Sequence, residues 1–194
     1  MSDKQDKTGR PRRYDLPLLP GFSRPEAAAR AAWLRELAER VYDQIEDLPA
    51  EALNFTPAGT RLSIGRLVVH LAWAEANWVS RLAGEPFPAD LQTALADGRL
   101  DAFGKAPRPA GTAAELIALC RRVQETFCGP ALTRVTDLDT PFEAGGRTVN
   151  VRGLLSQLEW HWIYHSGQIG LMRLQWGSDY QWTNGAIVEP AIAT

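Results

Sequence analysis

The sequence predicts an all-α protein, a four-helix bundle with long crossover connections and one small hairpin before the last helix. Three observations predict it. Apolar residues recur at helical spacing in four separate segments. Capping or breaking residues bound each of those segments. β-prone arms occur only around one Gly-Gly pair. The chain has 194 residues, one domain at about 150 residues per domain. Hydrophobic residues make up 45% and charged residues 23%. That supports a core without disulfide or metal staples and excludes disorder, collagen and coiled-coil arrays.

The first helix is announced by Ser23-Arg24-Pro25-Glu26, where Ser at the N-cap, Pro in the first turn and Glu at N3 make a capping box. Ala29, Trp33, Leu37, Val41 and Ile45 form its apolar stripe, and Pro49 stops it. A loop follows, with breakers at Pro57 and Gly59. Ser63 caps a second helix from Ile64 to Ala83, with Gly84 as its stop. Leu67, Leu71, Ala74, Trp78 and Leu82 form its stripe, and His70 lies on that apolar face. Residues 85–111 read as an exposed crossover holding one short helix from Ala89 to Ala96. Thr112-Ala113-Ala114-Glu115 is a second capping box. It opens a third helix that runs to about Cys128 and is kinked or ended by Gly129-Pro130. Thr140 to Val149 reads as a hairpin around Gly145-Gly146. Asn150 caps the fourth helix, Val151 to Trp176, and Gly177 stops it. Its inward stripe is Leu154, Leu158, His161, His165, Ile169 and Met172. Residues 1–22 are expected to be a flexible leader, 23–177 the bundle, and 178–194 a tail packed on or near it.

The formal charge of −2 argues against a nucleic-acid partner, which calls for a basic patch or stripe. Charge or glycine interrupts every apolar stretch within about ten residues, so no membrane span is expected. Arg12-Arg13 is not a twin-arginine signal, because Asp15, Pro17 and Pro20 break the apolar segment that should follow. Cys120 and Cys128 fall on one helix, separated by about 12 Å of rise, too far for a bridge. Both read as free, buried thiols of a reducing compartment, hence a cytoplasmic protein.

The chain has three histidines. His161 and His165 are four residues apart, so both imidazoles leave one face of one helix. That face is apolar, as is the face carrying His70. In a bundle such faces meet in the core, where metal sites are built. Three neutral imidazoles can hold a divalent ion and leave positions open. Each alone reads more readily as a satisfied core residue. Zinc, nickel, copper and iron(II) all suit nitrogen ligands, so the ligands alone do not name the ion; zinc or nickel is expected first, with iron, manganese or copper as alternatives. A zincin protease is excluded, since His161-Trp162-Ile163-Tyr164-His165 has Trp where the general-base Glu would stand.

The block from Ser63 to Leu71 and the block His161-Trp162-Ile163-Tyr164-His165-Ser166-Gly167-Gln168-Ile169 together resemble the DinB/YfiT-like family of metal-dependent proteins. The resemblance covers about residues 25–177. It implies a helical bundle with one metal-binding His on the second helix and an H-x-x-x-H pair on the last, which here are His70, His161 and His165. It also implies an activity class. Relatives include transferases that use low-molecular-weight thiols such as bacillithiol, and mycothiol-dependent isomerases. The expected function is therefore a metal-dependent S-transferase acting on a small electrophile, with a thiol cosubstrate. The alternative is a non-catalytic, stress-related metal-binding or interaction protein. No catalytic acid or base is assigned.

Four supporting positions carry two readings each. Gln168, on the side of His161 and His165, either orients a ligand or bound water or is a polar residue at a helix seam. Asn77, two turns after His70, has the same pair of readings. Arg66, one turn before His70, holds an anionic substrate group or makes a surface ion pair. Trp73 either walls a substrate pocket or fills the core. A homodimer is expected from the family resemblance and the seven Trp residues.

Overall fold

The computed structural model describes residues 6–183. Residues 1–5 of the expected leader and 184–194 of the expected tail lie outside the described residues. The protein is all-α. Its elements run β1 (Lys7–Thr8), α1 (Pro25–Ile45), α2 (Ala50–Leu53), α3 (Ile64–Ala83), α4 (Ala89–Ala94), α5 (Ala113–Val123), α6 (Gly129–Thr133), β2 (Pro141–Ala144), β3 (Arg147–Asn150), α7 (Val151–Trp176) and β4 (Tyr180–Gln181).

The two helices carrying histidines begin and end where their caps place them. Ser63 Oγ accepts from the Arg66 N–H, and Gly84 closes α3 in the left-handed conformation. Asn150 accepts from the Gly153 N–H, and Gly177 closes α7 in the same way. The hairpin also forms, with β2 antiparallel to β3. Gly145 and Gly146 turn it at φ values of 61° and 75°, the two positive angles that a tight two-residue hairpin requires.

α7 packs on α1 and α3, α3 packs on α5, and α6 returns to α1. Between them lies one apolar core that includes Leu37, Val41, Leu67, Leu71, Leu154, Leu158 and Ile169. Among the described residues, no helix is long and apolar enough to cross a membrane.

Three expectations need correction. The capping box at α1 does not form: Arg24 is the N-cap and its side chain makes no cap bond. Ser23 Oγ donates instead to the Val135 carbonyl at 3.1 Å, and Glu26 is engaged by Arg30 and Arg152. The third helix does not end at Gly129-Pro130. It widens into a π turn over Gln124–Cys128 and resumes as α6. Pro130 is tolerated there because it stands in the first turn of α6, where its missing N–H is not needed. The crossover is not simply exposed, since Leu91 and Leu95 belong to the core and Gly98 is buried against α3.

The N-terminal segment makes ordered contacts with α1 and with the strand after α7. β1 pairs in parallel with β4. Asp43 on α1 gathers the segments around β1 and β4: Lys7 Nζ lies 3.0 Å from its carboxylate, Arg10 N donates to it at 2.8 Å, and the Tyr180 hydroxyl donates to it. Residues 180–183 of the tail therefore lie beside the N-terminal segment.

Candidate metal centre

α3 and α7 pack side by side, so the apolar face holding His70 meets the face holding His161 and His165. The four-residue spacing on α7 stacks its two imidazoles. His165 Nε2 lies 3.0 Å from His161 Nε2. His161 Nε2 lies 3.2 Å from His70 Nε2. One ligand atom from each of the three falls within 4.8 Å of the others.

The Nδ1 atoms explain why the Nε2 atoms converge. His70 Nδ1 is 2.6 Å from the Gly98 carbonyl oxygen. His165 Nδ1 is 2.6 Å from Gln168 Oε1. An oxygen acceptor at each Nδ1 places the proton there, so both Nε2 atoms present lone pairs. His161 Nε2 can aim one N–H at only one of them, which leaves the other lone pair without a donor at hydrogen-bond distance. A cation at their centre resolves that conflict. Tetrahedral coordination with ordinary zinc–nitrogen bonds separates ligand nitrogens by about 3.3 Å, close to the two spacings seen here. The residues therefore fit a divalent ion.

The electrostatics agree. Burial pushes the His70 imidazole down to about 4, against a smaller upward effect of the Gly98 carbonyl and a further downward effect of His165. Burial and the two neighbouring imidazoles bring His161 down to about 3. Burial also lowers His165, opposed by its bond to Gln168. All three rings are neutral at pH 7, the form that binds metal.

An aromatic wall surrounds the triad. Trp73 stacks on His70 at 6.0 Å between ring centroids and an interplanar angle of 22°. Phe103 meets the same ring edge-on at 4.9 Å. Tyr164 stands 5.1 Å from the His165 ring, and its hydroxyl accepts from Gln168 Nε2 at 3.3 Å. Trp73 and Gln168 thus border the triad, and Gln168 does so by holding His165.

Arg66 is turned into the protein rather than onto its surface. It is 2% exposed, and its guanidinium donates inward to the carbonyls of Arg61, Asp97, Ala102 and Lys105. It also pairs with Asp97 at 3.1 Å. Arg66 clasps the crossover onto α3, and that crossover carries Gly98 and Phe103. Asn77 is half-buried, and its backbone carbonyl accepts from Ser80 Oγ. It makes no hydrogen bond to the triad.

Sequence reasoning missed Gly98 and Phe103, which belong to a segment read as an exposed connection. The signal available was the Asp97-Gly98 pair, a turn dipeptide. Only glycine fits there, because an added Cβ would come within 2.6 Å of the Val69 carbonyl oxygen and 2.8 Å of the His70 nitrogen. The two cysteines, as expected, are buried and free. Burial pushes Cys120 up to about 12, so it is no nucleophile at neutral pH.

Three histidines converging from two helices of an all-α protein define a class: helical proteins with an imidazole site able to hold a divalent ion. The DinB superfamily matches residues 33–169, and the chain belongs to that superfamily. No curated protein matches it.

Proposed function

We propose that this protein is a metal-dependent enzyme built on a four-helix bundle, with His70, His161 and His165 as the ligands of one divalent ion. The observation that carries the reading is the convergence of three Nε2 atoms, two of them held as acceptors by oxygen at the opposite ring nitrogen. A divalent ion bound there supplies Lewis acidity, which makes a thiol or water a competent nucleophile at neutral pH. The protein's own residues do the positioning. Gly98 and Gln168 orient the imidazoles, while Trp73, Phe103 and Tyr164 limit water around them. Three protein ligands leave a fourth position open, the arrangement of catalytic sites rather than structural ones.

The reaction proposed is S-transfer, in which a low-molecular-weight thiol attacks a small electrophile. Zinc or nickel is the ion proposed, and the cytoplasm, with its reduced thiols, is the setting. The test is to strip the metal, restore zinc, nickel, iron(II), manganese or copper singly, and assay thiol conjugation to a small electrophile. Thiol-dependent turnover with one metal, lost in His165→Ala, is the expected result. Stoichiometric metal without turnover for any ion would leave the non-catalytic metal-binding reading in its place.

The proposed assembly is a homodimer formed through α7. Trp160, Ile163, Tyr164, Leu171 and Leu174 lie exposed at three- and four-residue spacing along one face. Gly167 sits mid-stripe, with no atom within 4 Å of where its Cβ would be, so a second helix can approach closely. A two-fold axis through such a stripe buries the same apolar patch on both copies.

A further inference from the structure

A second polar cluster lies inside the protein, away from the histidines. Glu75 stands on α3 five residues after His70, hence on a different face, and is only 3% exposed. Its Oε2 accepts from Trp162 Nε1 at 3.0 Å and from Gln124 Nε2 at 3.2 Å. Gln124 opens the π turn, and its own Oε1 accepts from the Tyr42 hydroxyl at 3.3 Å. Glu75 Oε1 has no hydrogen-bond partner among the described residues. The carboxyl faces a cavity of about 290 Å³ whose apolar wall includes Phe22, Leu34 and Leu132. Arg121 at the rim is committed to Glu39 at 3.0 Å.

A buried carboxylate held only by neutral donors is costly, because nothing offsets its charge. Burial accordingly pushes the Glu75 carboxyl above its ordinary range. Arg35 and Arg121 also line the cavity, yet among the described residues no cationic group donates to Glu75. The cavity supplies room for one, at the lower end of the volumes that small-molecule sites occupy. The helix wall opposite is a π turn, a distortion that recurs at functional sites.

We propose that this cavity binds a small primary amine, whose ammonium donates to Glu75 Oε1 while its apolar body lies against Leu34, Leu132 and Phe22. The site is separate from the histidines and does not depend on what they hold.

The test is calorimetric titration of the full-length protein with 2-phenylethylamine, and with 2-phenylethanol as an uncharged analogue of similar shape. Saturable amine binding is expected, at least about tenfold tighter than that of the alcohol, the order of a charge-assisted hydrogen bond. Glu75→Gln should remove the preference for amine. Leu132→Trp fills the cavity with the carboxyl intact and should abolish binding, which keeps the test decisive if Glu75→Gln fails to fold. His161→Ala should bind the amine as the parent does. Lack of amine binding at roughly millimolar concentration, where a single charge-assisted contact should register, would overturn the proposal. So would equal binding of the alcohol, undiminished amine binding in a folded Glu75→Gln, or loss of binding in His161→Ala.

Discussion

At His70 the group that orients the imidazole is a backbone carbonyl, and the residue supplying it is the one amino acid that can stand so close to α3. An added Cβ at Gly98 would collide with the backbone of Val69 and His70. Gly98→Ala should therefore push the crossover away and loosen the His70 Nδ1 bond. Metal affinity should fall about ten- to a hundredfold, the usual cost of losing a partner behind a ligand, measured by competition with a chromogenic chelator. An unchanged affinity would mean that Gly98 merely fills space. The histidines themselves were legible in the sequence, because spacing and apolar face place them without knowledge of the rest. Gly98 was not, since it is 28 residues from its partner and nothing local ties the two together. Gln168 was legible for the same reason as the histidines: it shares their helix and bonds His165 one turn back.

At the scale of elements, α3 and α7 were readable to their last residues because side-chain caps and left-handed glycines mark their ends. The start of α1 was misread because Ser23, a good cap in isolation, finds a carbonyl 112 residues away. The crossover was misread because its order comes from one side chain. Arg66 collects four carbonyls of residues 61–105 in a buried position. Arg66→Met keeps the apolar stem but removes the guanidinium from those carbonyls and leaves the Asp97 carboxylate with Arg108 alone. It should cost roughly 3–5 kcal/mol, as removing one partner of a buried pair does, measured by urea denaturation. Amide exchange should accelerate first across residues 95–105. Uniform acceleration over the whole chain would instead mean that the clasp is not local.

For the molecule as a whole, the segments holding Lys7, Arg10 and Tyr180 are joined at Asp43, and this junction gives a pH dependence with a definite sign. Burial alone would raise the Asp43 carboxyl. Hydrogen bonds from Tyr180, Arg10 and Lys7 outweigh burial and hold it below 3.8, its ordinary value. The stabilisation is therefore complete above that value and is lost as the pH falls through the lower folded value. Asp43→Asn should be less stable than the parent at pH 7, and the gap should narrow in acid; a gap constant with pH would remove Asp43 from the account. The exposed stripe of α7 makes a second prediction at this scale. Leu171→Glu should convert the proposed dimer to monomer in sedimentation at micromolar concentration without unfolding it, whereas a parent already monomeric would remove the dimer. The central claim is that three histidines hold one divalent ion, and elemental analysis of protein purified without added metal tests it most directly. The account predicts about one divalent ion per chain, lost in folded His161→Ala and retained in Asn77→Ala. Metal-free parent protein that takes up none when offered, or a His161→Ala that keeps its metal, would contradict it.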